Sequence, residues 1–292
     1  IPMRYSRHYH VVTFTLQDDE SLMQIFNTIL DWYFNHPSQR FASTTKQLSD
    51  KMVSATIAAY NAVCESLLPI PAKSHYLFNL RDIAKVFQGV CMASSTDEHP
   101  FSKEDMGRLW LHETSRVFQD RFIDDHDRNW FQELQTRLCD EHLGESYDKL
   151  MKGRDRIIFG DMLTVETPKP RYEELADHQA CIDKCKDCLA DYNAMQPSPM
   201  NLVLFLFAVE HIARISRVIR QPLGNALLVG VGGSGRQSLT RVAAFMMEYK
   251  CFSVEIAKNY GMAEWREDLQ GLFRAAGCEN NQLCSCSAIR NW

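Results

Sequence analysis

Residues 226–239 read ALLVGVGGSGRQSL, with four glycines set between a short apolar run and a segment of helical character. A loop of this kind exposes successive backbone N–H groups at a helix N-terminus, where they cradle phosphate oxygens. Two templates fit the same residues. Gly230-x-x-x-x-Gly235 followed by Arg236 is a P-loop whose lysine is replaced by arginine. Gly230-x-Gly232-x-x-Gly235 is also a dinucleotide fingerprint, with Glu255 about 20 residues beyond, where a ribose-binding acid is expected. A glycine-rich turn without a ligand is the third reading. Spacing alone does not choose among them.

The flanks read as strand 226–229, helix 236–249, strand 251–256 and helix 263–276, a βαβα order that opens a parallel sheet. Upstream the pattern is different. HVVTFTL (10–16) alternates and reads as a strand. Apolar residues at helical spacing then predict helices over 18–34, 45–68, 80–91, 103–122 and 127–143, so 18–143 is almost wholly helical. Residues 151–172 carry Gly153, Gly160, Pro168 and Pro170 and read as a linker with the short strand RIIFG. Two further helices are expected over 172–195 and 199–220. The fold class is α/β with a large all-α part.

Composition narrows the function classes. The chain has 292 residues, enough for two domains, and its 45% hydrophobic content suffices for packed cores. With 37 acidic against 32 basic residues the net charge is −5, which argues against a nucleic-acid binder. The longest unbroken apolar run, Leu202–Val209, is far short of the roughly 20 residues that span a bilayer, so no membrane role is expected. Ten scattered cysteines and no signal peptide point to free thiols in a reducing compartment. The chain opens at Ile1 without an initiator methionine, which reads as a piece of something longer.

Four stretches carry a family resemblance: PMRYSRHY (2–9), PAKSHYLFNLRDIAKVFQGV (71–90), RLWLHETSRVFQDRF (108–122) and GNALLVGVGGSGRQSLTRVAAFM (224–246). Together they resemble the dynein heavy chains, nearest the axonemal inner-arm type, at the junction of the third and fourth AAA+ modules of the motor ring. The resemblance runs from residue 1 to about 278. It implies an AAA+ helical lid followed by an incomplete P-loop parallel-sheet domain. Its divisions are the end of the third large subdomain (1–17), the lid of the third module (18–150), a connecting segment (151–198), the start of the fourth module (199–278) and a divergent tail (279–292). After GLFRAAG (271–277) such a motor continues into a strand ending in Walker B acids, whereas this chain reads CENNQLCSCSAIRNW, with no stretch apolar enough to be that strand. A truncated splice product or an incomplete open reading frame would explain this.

The resemblance also implies site residues. Gly230, Gly232, Gly233, Ser234, Gly235, Arg236, Gln237 and Ser238 match the Walker A loop of the fourth module. Arg4 and Arg7 lie in the segment carrying the arginine finger, a task suited to a guanidinium that stays charged and forks to a γ-phosphate. Arg81 matches the sensor arginine of the lid; the plainer reading is a salt bridge to Asp82 or a nearby acid. Arg236 can still pair with phosphate, but the Gln237 amide is a poor magnesium ligand and Ser238 falls one residue late. ATP or ADP binding is therefore expected to be weak or structural, with no secure Mg2+ and no hydrolysis by the chain alone. The implied whole is an ATP-driven, minus-end-directed microtubule motor of cytoplasm, cytoskeleton and ciliary axoneme. Its implied partners are the other ring modules, intermediate and light chains, and microtubules reached through the parent chain. The alternative is a truncated, non-motor nucleotide-binding or scaffold protein; a dinucleotide-dependent oxidoreductase rests only on the glycine pattern and Glu255.

Other constellations have plain explanations. Cys181, Cys185 and Cys188 match the spacing of an iron–sulfur loop, but i, i+4, i+7 places them on one helix face as small hydrophobes, and adding His178 does not wrap a zinc ion. Cys284 and Cys286 read as inert residues of the tail. Arg214, Arg217 and Arg220 read as a solvated stripe or an inter-module contact. Trp110, Trp130 and Phe131 read as core, and His112 and Glu113 are adjacent helix positions that point apart.

Overall fold

The computed structural model describes residues 2–15, 17–167, 170–196, 199–254, 260–279 and 282–286. The chain divides into two compact units at Gly153/Arg154.

The first unit is helical. A short helix α1 (Met3–Ser6) precedes α2 (Asp19–Phe34), α3 (Ser43–Lys46), α4 (Ser49–Ser66), α5 (Leu80–Val90), α6 (Lys103–Val117), α7 (Asp125–Leu138) and α8 (Tyr147–Met151). On α2, Leu22, Phe26, Leu30 and Phe34 recur every fourth position and are buried, so one stripe faces the core. Phe26 meets Phe87 of α5 with centroids 4.8 Å apart, and Phe34 meets Phe41 at 4.9 Å. Trp110 of α6 is fully enclosed, and its indole N–H donates to Thr56 Oγ1 of α4 at 2.9 Å, so its one polar atom is satisfied. Truncating a side chain so placed typically costs about 3–5 kcal/mol. Trp130 is only half-buried, whereas its neighbour Phe131 is enclosed.

Start signals locate these helices. Asp18 accepts the Ser21 N–H at 3.1 Å, and Asn79/Asp82 and Ser102/Asp105 form reciprocal capping boxes. Two predicted helices end early and continue in altered winding: α6 passes into a 3-10 turn at Gln119–Arg121, and α7 into a π turn at Cys139–Leu143 that closes on Gly144 at φ 67°. The expected strand at 10–16 is absent. Residues 10–15 make no ladder and leave Val11, Val12 and Phe14 exposed, because no described strand lies beside them; Leu16 is outside the described residues.

The second unit holds α9 (His178–Met195), α10 (Leu206–Arg220), α11 (Arg236–Met246) and α12 (Met262–Gly277), with β1 (Phe159–Gly160), β2 (Glu173–Glu174), β3 (Lys250–Ser253) and β4 (Leu283–Cys286). β1 and β2 pair antiparallel, Phe159 opposite Glu174, which takes residues 173–174 out of the helix predicted from 172; Asp177 then caps α9 through Ala180 N–H at 3.0 Å. α10 begins seven residues later than predicted, 206 against 199. The Asn193 side chain grips both N–H and C=O of Met200, at 2.7 and 3.0 Å, and Phe205 is extended, so the apolar run enters the helix only at Leu206.

Cys181, Cys185 and Cys188 of α9 pack with Ile212 of α10 and Val242 and Met246 of α11 in one apolar cluster. Burial pushes the Cys185 thiol up to about 12 and those of Cys181 and Cys188 up to about 11. No metal-binding group of His, Cys, Asp or Glu occurs among the described residues. The basic stripe on α10 is not a solvated face: Arg217 is buried, and Arg220 Nε donates to Asp161 at 2.6 Å.

β3 and β4 are parallel, in register Lys250↔Leu283 to Ser253↔Cys286, with α12 between them in sequence, the order of a βαβ unit. This corrects the reading of the tail as strandless. The segment LCSC is short and weakly apolar, and its partner strand rather than its own propensity makes it extended. The expected strand 226–229 does not form: among the described residues nothing pairs with it, and Leu227, Val229 and Val231 are 81%, 84% and 78% exposed. No described helix is long and apolar enough to cross a membrane.

Candidate functional site

The glycine loop leads directly into α11. Gly233 and Gly235 have φ of 79° and 76°, a left-handed backbone that favours glycine, and Gly235 is the residue preceding the helix. A Cβ on Gly232, Gly233 or Gly235 would meet nothing within 4 Å, so the concave side is open. The loop is pinned by Ser234 N–H to Val231 O at 3.4 Å and Leu239 N–H to Gly235 O at 2.8 Å. The N–H groups of Gly232, Gly233, Gly235, Arg236, Gln237 and Ser238 have no acceptor among the described residues. Unpartnered donors in a loop and first turn at a helix start suit an anionic oxygen cluster.

Arg236 is turned differently from a phosphate-pairing cation. Its Nη1 and Nη2 donate to the carbonyls of Leu228 (3.3 Å) and Val231 (3.2 Å), and its stem lies over Gly230, whose Cβ would meet Arg236 Cδ at 3.6 Å. The guanidinium thus braces the loop from within. Gln237 is exposed and Ser238 half-buried, and no carboxylate accompanies them as a described metal-binding group. The donors present, backbone N–H groups and hydroxyls, are of the kind that suits polyphosphate oxygens. Glu255, the ribose-binding acid of the dinucleotide template, lies outside the described residues.

The three other arginines belong to the first unit. Arg4 is exposed on α1, and Arg7 Nε donates to His8 Nε2 at 3.1 Å. Arg81 is exposed at the start of α5; its backbone N–H donates to Asn79 Oδ1 at 2.9 Å, and no side-chain hydrogen bond or ion pair is found for it among the described residues. The simple pairing of Arg81 with Asp82 is not found. Asp82 is buried and accepts instead from Arg121, whose Nη1 reaches Oδ2 at 3.2 Å and whose Nη2 reaches Oδ1, and from Asn79 N–H at 3.0 Å.

Sequence reasoning missed this clamp and the one beside it. Tyr76 O–H donates to Asp127 Oδ2 at 2.7 Å and accepts from Ile123 N–H at 3.1 Å, while Lys73 Nζ reaches both Asp127 and Asp124 at 2.6 Å. Burial works to raise the Asp127 carboxyl, but hydrogen bonds from Lys73 and Tyr76 outweigh it and hold it below its ordinary range. Burial, reinforced by Asp127, pushes the Tyr76 phenol up. Arg121 also stacks over Phe78 at 5.3 Å. Residues 73–82 are thus tied to 121–127, which fixes the backbone that presents Arg81. The pairing of basic and aromatic residues in PAKSHYLFNLRD with DRF and DDHD was the available signal, but partners some 40–50 residues apart leave no periodic trace.

Comparison with known proteins selects between the loop templates. Residues 200–285 match the family model described as P-loop containing dynein motor region D4, and residues 52–177 match the AAA+ lid domain. The first match reaches into β4, beyond the point at 278 where the resemblance was expected to stop. The chain is 42% identical over 288 residues to human dynein axonemal heavy chain 1, covering 95% of this chain and 7% of that protein. It is 44% identical over 274 residues to the Dynein-1-beta heavy chain of the flagellar inner arm I1 complex of Chlamydomonas reinhardtii, covering 91% and 6%. Against human dynein axonemal heavy chain 6 it is 38% identical over 283 residues, covering 96% and 7%. The chain thus spans about 7% of the length of the curated relatives it matches.

Proposed function

Since the chain belongs to the axonemal dynein heavy chain family, we propose that it is a segment of an ATP-driven, minus-end-directed microtubule motor and supplies nucleotide-binding, regulatory surface to its ring. One observation carries the reading: six N–H groups between Gly232 and Ser238, in the loop and first turn of α11, have no partner among the described residues, inside the segment that matches the fourth motor region. Residues 1–17 are assigned to the end of the third large subdomain, 18–150 to the lid of the third module, 151–198 to a connecting segment, 199–278 to the start of the fourth module and 279–292 to a divergent tail. The proposed setting is the cytoskeleton of the ciliary axoneme. The proposed partners are neighbouring ring modules, intermediate and light chains, and microtubules through the parent chain.

In this assignment the loop N–H groups hold the phosphates of ATP or ADP, and Ser234 and Ser238 lend hydroxyls. A bound nucleotide contributes the negative charge that these donors are placed to neutralise. Arg236 keeps the loop open by bonding its own carbonyls, which leaves the backbone as the main phosphate ligand. Arg81 senses nucleotide on the third module, and Arg4 and Arg7 are the finger candidates toward the preceding site. Gln237 gives magnesium no hydroxyl, so this module binds and signals rather than hydrolyses.

Titration with ATP, ADP and NAD, followed by phosphate release, tests the assignment. Weak binding of both adenine polyphosphates without NAD binding is expected. Turnover should stay far below the roughly 1 per second of ordinary enzymes, in the wild type and in the Arg236→Lys/Gln237→Thr double variant alike. Tight NAD binding without response to ATP, or enzyme-like turnover, overturns it.

A further inference from the structure

Three cysteines lie on the two strands of the βαβ unit, and none takes part in the loop. Cys251 of β3 stands directly opposite Cys284 of β4, and Cys286 stands opposite Ser253. Opposed residues of adjacent strands project their Cβ atoms to the same face, and neighbouring strands run about 4.7–4.9 Å apart. That separation falls inside the roughly 4.4–6.8 Å between Cα atoms that a disulfide requires. Both thiols are free and half-buried, so they are reachable from solvent. By contrast Cys181, Cys185 and Cys188 share one buried helix face, and Cys278 is exposed away from a strand partner.

We propose that Cys251 and Cys284 are an oxidant-responsive pair that closes to a disulfide and locks β4 onto β3. The hydrogen bond that Cys251 donates to Cys284 supports this. It draws the Cys284 thiol below its usual range and raises that of Cys251, which makes Cys284 the attacking sulfur. The co-reactant is a hydroperoxide. With hydrogen peroxide, the Cys284 thiolate attacks one peroxide oxygen: an S–O bond forms, the O–O bond breaks, and hydroxide departs to take up a proton as water. Cys284 is then a sulfenic acid, oxidised by two electrons. The Cys251 sulfur displaces its oxygen: the S–S bond forms, the S–O bond breaks, and a second water leaves with the Cys251 proton. Thiol reductants reverse the closure.

β3 follows directly on α11, whose first turn carries the loop donors, so the lock tightens the element behind the loop. This inference does not depend on nucleotide binding; the strand register alone carries it.

The test treats the 292-residue chain with a few equivalents of hydrogen peroxide, followed by intact mass measurement and non-reducing peptide mapping. The expected result is loss of two hydrogens and a linked peptide pair joining Cys251 to Cys284, restored by a thiol reductant. Cys286→Ser and Cys278→Ser should retain the loss, while Cys251→Ser and Cys284→Ser should abolish it. Mapping of the wild type decides the matter even if a variant fails to fold. A linkage joining other cysteines, or oxidation that yields only sulfinic and sulfonic acids, overturns the proposal.

Discussion

Arg81 and Asp82 are adjacent in sequence, and their substitution should differ sharply in consequence. Asp82→Ala removes an acceptor for the Asn79 N–H, half of a capping box worth about 0.5–1 kcal/mol. It also breaks the pair with Arg121, in which the Asp82 side chain is 2% exposed and that of Arg121 28%. Loss of one partner of a fully buried pair costs about 3–5 kcal/mol; the part-exposed guanidinium rehydrates and retains Leu77 O, which lowers this to about 2–3. The sum is about 3 kcal/mol, or roughly 6–12 °C in Tm for a unit of this size. Arg81→Ala removes an exposed side chain whose backbone alone is engaged, and should stay within about 0.5 kcal/mol. Urea unfolding followed by fluorescence reads this in a Trp265→Phe/Trp292→Phe background, which leaves Trp32, Trp110 and Trp130 of the first unit as reporters. If Asp82→Ala stays within about 0.5 kcal/mol of wild type, or if Arg81→Ala is the costlier change, the clamp does not hold the lid.

Two further outcomes are expected. Asp127 is held below its ordinary range, so its contribution is fully present above the unfolded value near pH 4 and is lost as pH falls through the lower folded value. Asp127→Asn should flatten the acid limb of the stability–pH curve of the first unit, and an unchanged limb would contradict the Lys73–Asp127–Tyr76 network. Chelators should leave the melting temperature unchanged, since the cysteines of α9 are packed as apolar side chains. Cys185→Ser, which buries a hydroxyl there, should cost about 1–3 kcal/mol in thermal unfolding; a chelator-induced drop would restore the metal reading.

The parts of this fold legible in the sequence are those set by local spacing. The stripe on α2, the capping residues Asp18, Asn79 and Ser102, and the cysteine face of α9 all follow from positions three or four apart. The tight turn before α11 was legible because the left-handed residues Gly233 and Gly235 need glycine. What escaped depended on distant partners. HVVTFT and ALLV have strand composition but no ladder, because a strand exists only when another lies beside it, whereas LCSC becomes one through β3 despite a poor pattern. Arg214, Arg217 and Arg220 look like a wet stripe, yet Arg217 is buried and Arg220 pairs with Asp161, some 60 residues away. Likewise, nothing local shows that the Arg236 side chain bonds carbonyls rather than facing outward.

That bond has a consequence for communication. Arg236 sits on the first turn of α11, yet its guanidinium is fastened to carbonyls at 228 and 231, in the extended segment whose apolar side chains face solvent. A strand laid along that segment would fix those carbonyls, and the guanidinium would pass the order to the turn whose N–H groups are unpartnered. Binding linkage is reciprocal: if docking of the strand tightens nucleotide tenfold, nucleotide tightens the strand tenfold, a coupling of about 1.4 kcal/mol in each direction. If the loop binds nucleotide as proposed, the arginine in the lysine position would couple that ligand to the arrival of a neighbouring strand.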